Sequence, residues 1–82
     1  MSQRVQIVFA NGERWYTYNW PGEIPLAVGD RVVCPPNWAN PDYSFATVVA
    51  LESKFEGEVA SLTGLVDKDT GHIYYPQGEP DV

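Results

Sequence analysis

From Gln3 to Ala10 the chain alternates, with Val5, Ile7 and Phe9 on one face and Val8 on the other. A two-residue period is the mark of a half-buried β-strand. Asn11-Gly12 comes next, and both residue types tolerate the positive φ of a type I′ turn, which predicts a hairpin. A two-residue loop fixes the register: Ala10 opposite Glu13, Phe9 opposite Arg14, Ile7 opposite Tyr16 and Val5 opposite Tyr18. Val5, Ile7, Phe9, Tyr16 and Tyr18 then share the core face, while Val8, Trp15 and Thr17 share the other. Trp20-Pro21-Gly22 ends the second strand, and residues 23–28 read as an irregular arm.

The arm leads into Leu26-Ala27-Val28-Gly29-Asp30-Arg31-Val32-Val33-Cys34-Pro35, the stretch around which the chain is organised. Gly29 gives the backbone freedom for a sharp turn, and Asp30 can accept from amides that the turn leaves unpaired. A strand follows, with Val32 and Cys34 on one face and Arg31 and Val33 on the other, and Pro35 stops it. After a proline-rich loop from Pro35 to Pro41, Tyr43 to Leu51 is apolar or small on both faces, which predicts a central strand. Ser53 to Gly57 reads as a polar turn and Glu58 to Val66 as a fifth strand, with Ala60, Leu62 and Val66 on one side. Asp67-Lys68-Asp69-Thr70-Gly71 is a second hairpin loop, after which His72 to Tyr75 pairs back until Pro76. Nothing repeats at a fixed period and no stretch has convincing helical periodicity. The prediction is all-β: five to six short antiparallel strands closing, or nearly closing, into one small barrel over residues 1–76, with a mobile tail at 77–82.

Composition sharpens this picture in three ways. Aromatics make up 13% of 82 residues, and large rings let a small core suffice without disulfides. The lone Cys34 forbids an internal disulfide, and on a strand it reads as a small buried hydrophobe, so a cytoplasmic location is expected. No apolar run approaches the roughly 18 residues that span a bilayer, so no membrane partner is expected. Eleven carboxylates against five scattered cations give a net charge of −6, which disfavours general coating of nucleic acid. It suits a basic protein partner.

The strand plan is similar to SH3-like barrels. Within that group the chain resembles the N-terminal DNA-binding domain of the bacterial primosomal helicase family, primosomal protein N′. The resemblance rests on Tyr16-Thr17-Tyr18, Pro21, Gly29-Asp30-Arg31-Val32-Val33-Cys34-Pro35 and Ala46-Thr47-Val48-Val49, and covers about residues 16–51. It implies capture of a single-stranded DNA 3′ end, with Tyr16, Thr17 and Tyr18 lining a pocket for the terminal base. Thr17 stands where that family has an acidic residue, and Pro36-Asn37 where it often has Phe-Gly. The chain holds no phosphate-binding loop of helicase type.

Trp15, Trp20, Trp38 and Tyr43 are hard to bury together in so small a barrel. At its rim they would serve base stacking or recognition of a proline-rich peptide, or simply cap the open ends. The candidate ligand-binding residues are therefore Tyr16, Thr17, Tyr18, Trp15, Trp38 and Tyr43. His72 with Cys34 cannot supply the three or four ligands that zinc needs. The 67–71 loop lacks the third acidic position and closing glutamate of a calcium loop. With no nucleophile elbow and no Cys–His pair at a recognisable spacing, neither catalysis, a metal nor a cofactor is expected, and the Glu52, Glu56 and Glu58 cluster reads as solvated surface. The sequence thus points to a non-enzymatic binding module, first for a nucleic-acid strand or its 3′ end. The alternative is an acidic protein–protein interaction module that modulates a larger complex, one that processes nucleic acid for instance.

Overall fold

The computed structural model describes residues 3–10, 12–37 and 41–79. Six strands form one sheet: β1 (Gln3–Phe9), β2 (Trp15–Trp20), β3 (Arg31–Cys34), β4 (Ser44–Ala50), β5 (Gly64–Val66) and β6 (Ile73–Tyr74). Their spatial order is β2-β1-β4-β3-β5-β6, and every neighbouring pair is antiparallel. No helix among the described residues is long and apolar enough to cross a membrane.

The β1–β2 register is the expected one, with Val5 opposite Tyr18 and Ile7 opposite Tyr16. Alternation fixes it, because a slip of one residue would turn every apolar side chain to the wrong face. The connection differs from the expected type I′ turn. Asn11 lies outside the described residues, and Gly12 has no positive φ. The Gly12 N–H donates to Phe9 C=O at 3.0 Å, so the tight turn sits one residue earlier and the ladder stops at Val8–Trp15. Ala10, Glu13 and Arg14 are left exposed beyond it.

The turn ahead of β3 forms as expected. Asp30 N–H donates to Ala27 C=O at 3.0 Å, and the Asp30 carboxylate accepts from Ala27 N–H at 2.8 Å. Gly29 sits at φ +99°, where a side chain would be strained. In β3, Val32, Val33 and Cys34 are buried while Arg31 is exposed over the Phe45 ring, 4.8 Å from its centroid. As expected, β4 is central, between β1 and β3. Only its Ala46 and Val48 face is buried; Phe45 and Thr47 are exposed.

The segment expected as a fifth strand from Glu58 to Val66 forms a strand only at Gly64–Val66. Its earlier part serves a different neighbour. Asn19 N–H donates to Ala60 C=O at 2.9 Å and Leu62 N–H to Asn19 C=O at 2.8 Å, a single parallel bridge to β2. Thr63 N–H then donates to Val33 C=O at 2.8 Å. Changing partner from β2 to β3 within two residues resets the alternation. Leu62 is in the core and Leu65 packs against it, whereas Ala60 is exposed.

The expected barrel closure is not made, and the sheet stays open. Beside the single backbone bridge at Asn19, Trp20 fills the gap that no ladder closes. It is the largest fully buried side chain, so it leaves the set expected at the rim. Its ring meets Tyr74 edge-on at 6.3 Å, and its indole N–H donates to Ile24 C=O at 2.7 Å. A Cβ at Gly22 would stand 2.6 Å from the indole, so only glycine lets the chain pass so close.

Two outcomes follow. Trp20→Ala removes the ring at a cost of about 3–5 kcal/mol, enough to unfold most of so small a domain, whereas Trp20→Phe leaves a folded but weaker one; urea denaturation followed by circular dichroism checks both. Cys34 is fully buried, and burial pushes its thiol up from 9.0 to about 12. Above pH 9 the unfolded thiol ionises while the native one stays protonated, so the thiol's contribution to stability is constant below that pH and falls as pH climbs toward 12. The fall is shallower in Cys34→Ala, and a thiol reagent at pH 8 labels the native protein only after denaturant is added.

Candidate functional site

β2 is the first strand of the sheet order, so among the described residues its outer edge pairs with no strand and meets only the bridge at Ser61. Its core side carries Tyr16, Tyr18 and Trp20, and its outer side carries Trp15, Thr17 and Asn19. On that outer side β1 sets Arg4 opposite Asn19, Gln6 opposite Thr17 and Val8 opposite Trp15. The polar ones hold a strap, residues 51–61. Gln6 Nε2 donates to Glu52 C=O at 3.1 Å, and Arg4 donates to Phe55 C=O. Thr17 Oγ1 and Ser53 Oγ share a hydrogen bond of 2.7 Å, and Asn19 Nδ2 donates to Ser61 Oγ at 3.2 Å. Gln3 Nε2 reaches Leu51 C=O at 2.8 Å, and Ser53 Oγ also accepts from Phe55 N–H at 3.2 Å.

Between strap and strand lies a groove of about 390 Å³, lined by Trp15, Tyr16, Thr17 and Tyr18 on one side and by Phe55, Glu58, Val59 and Ala60 on the other. Trp15 and Phe55 are each 53% exposed and Tyr16 42%, so the groove's walls are aromatic and wet. The backbone adds the more specific feature. Asn19 directs its N–H and C=O away from β1 toward Ala60 and Leu62. Antiparallel pairing repeats that direction every second residue, so Thr17 and Trp15 aim theirs into the groove. Among the described residues no backbone group meets them.

The groove brings together four of the candidate residues, Trp15, Tyr16, Thr17 and Tyr18. In an ideal strand Thr17 faces away from both tyrosines; at the strand's edge a groove reaches both faces at once. The triplet is not equally available within it. Tyr18 is buried beside the core, and burial pushes its phenol up, aided by Cys34 and opposed by a hydrogen bond with the Asn37 side chain. The Thr17 hydroxyl is held by Ser53. Tyr16 leans edge-on against Phe9, with ring centroids 5.5 Å apart. Tyr43 is exposed ahead of β4 and does not line the groove. Trp38 lies outside the described residues. Phe55, Glu58 and Val59 were not legible as partners of this strand. The one available signal was a large apolar ring, Phe55, in an otherwise polar turn.

Among the described residues no group of three or more His, Cys, Asp or Glu could hold a metal ion. The 67–71 loop spends its chemistry on itself: Asp67 Oδ1 accepts from Asp69 N–H at 2.8 Å and from Thr70 N–H at 3.2 Å.

Because the strap hangs on side-chain hydrogen bonds, Thr17→Val loosens it at a cost of about 0.5–1.5 kcal/mol. Amide hydrogen exchange at Ser53 and Phe55 speeds up while the β1–β4 ladder keeps its protection; uniform acceleration would mean that the strap is no separate unit. Comparison of the chain with protein-family models, with curated proteins and with solved structures finds no match.

Proposed function

We propose that the chain is a non-enzymatic binding module that takes an extended segment of a protein partner along the free edge of β2. The observation that carries this reading is the pair of outward, unmet backbone positions, Trp15 and Thr17, set in a groove walled by Trp15, Tyr16 and Phe55. Unpaired edge groups are a template for an added strand: main-chain hydrogen bonds supply affinity and flanking side chains supply selectivity. The reading of strand-end capture has less support. Its three pocket residues include one buried phenol and one engaged hydroxyl, and no cation lines the groove. A buried free thiol at Cys34 suits a reducing compartment such as the cytoplasm.

Selecting linear peptides against the immobilised chain and mapping a selected one by amide chemical shifts tests the proposal. Shifts should cluster at Trp15–Tyr18 and at residues 55–60, and amides of the bound peptide should become protected from exchange. Thr17→Pro removes an outward N–H at an edge position, where proline is tolerated, and should lower affinity about tenfold or more. Thr17→Val loses the Ser53 contact as Thr17→Pro does but keeps the outward N–H, so it should weaken binding less than the proline does. If no peptide is selected, and a short single strand of DNA with a free 3′ end instead shifts Tyr16 and Trp15, strand addition is wrong and end capture takes its place.

A further inference from the structure

The chemistry of the incoming segment follows from the charge and shape of the groove, and it rests on strand addition at β2. Of the residues lining the groove, Glu58 alone is charged at neutral pH, and it is exposed. The cations lie elsewhere: Arg4 donates to Phe55 C=O under the strap, Arg31 covers Phe45, and Arg14, Lys54 and Lys68 do not line the groove. Beyond the groove the whole chain carries −6, a field that gathers positive partners and repels a second copy of the chain.

The lane has a closed end. The Ala60 carbonyl already takes the Asn19 N–H, so an added strand has room only opposite Trp15 to Tyr18, about four residues at roughly 3.3 Å each. So short a ladder gains from side chains that cover aromatic surface while keeping their heads in water. Lysine and arginine do both: their stems lie along Trp15 and Phe55, and their charges face ring and carboxylate. We propose that the segment docked on β2 is an extended, lysine- or arginine-bearing stretch of a basic protein partner, with a cation set against Glu58.

Three end-blocked seven-residue peptides test this, alternating threonine with lysine, with glutamine or with glutamate, titrated into the full chain while tryptophan emission is followed. At about 0.1 M salt the lysine peptide should bind about tenfold tighter than the glutamine one, and the glutamate peptide least. Glu58→Gln, an exposed change that leaves the fold intact, should weaken the lysine peptide about threefold and leave the glutamine peptide unchanged. The lysine preference should shrink at about 0.5 M salt. Equal binding of the lysine and glutamine peptides, or indifference of the lysine peptide to Glu58→Gln, overturns the basic partner and leaves strand addition standing, provided that Thr17→Pro still weakens binding about tenfold or more. If none of the three peptides binds, strand addition fails and the inference fails with it. A dimer by sedimentation that Thr17→Pro dissolves gives the lane to a second copy and likewise overturns the proposal.

Discussion

The fold depends on one side chain filling a gap that the backbone spans only by the single bridge at Asn19. β2 and β6 stand at opposite ends of the sheet order and share no ladder. Trp20, on β2, reaches across to Tyr74 on β6 and lies over Gly22, beside which Pro76 also packs. Its indole N–H needs a partner once buried, and Ile24 C=O supplies one from the arm. That bond shapes the irregular stretch which delivers Leu26 to the core and leads into the turn before β3. The hydrophobic effect of one ring and the satisfaction of one donor thus organise both ends of the sheet.

The parts of this fold that obey one rule at a time were legible in the sequence. Alternation in β1 and β2 carried the register to the residue, and Gly29 with Asp30 announced their turn. Legibility failed where one segment answers to two neighbours. Residues 58–66 look like one continuous strand, yet they bridge β2 at Ser61 and pair with β3 from Gly64, and no periodicity encodes the change. It failed again at Trp20, because composition says that four large rings are too many for the core but not which one wins the space. At the candidate site, Tyr16 to Tyr18 were legible as a triplet and Trp15, apart from them, as a rim ring. The strap that makes a groove of their edge was not, since nothing in the sequence pattern pairs Arg4, Gln6, Thr17 and Asn19 with residues 52–61.

A free edge strand with exposed aromatics is hazardous in a small acidic protein unless it is rationed. Here the strap covers the Asn19 end, the ladder opposite ends at Trp15, and two outward residues remain between. Self-pairing over so short a length gains few hydrogen bonds while bringing like-charged copies together. The same shortness places selectivity on the walls, so what the groove accepts is set by Phe55 and Glu58 as much as by the strand.

The reach of Trp20 also bears on how the chain acquires its shape during synthesis. The β1–β2 hairpin is local and can form as soon as residue 20 has left the ribosome. The ring that meets its tryptophan edge-on, Tyr74, is made some fifty residues later. At translation speeds of about 5–20 residues per second, a large apolar ring stays uncovered for seconds. Until residue 74 has emerged, the nascent hairpin displays its indole to whatever surrounds it.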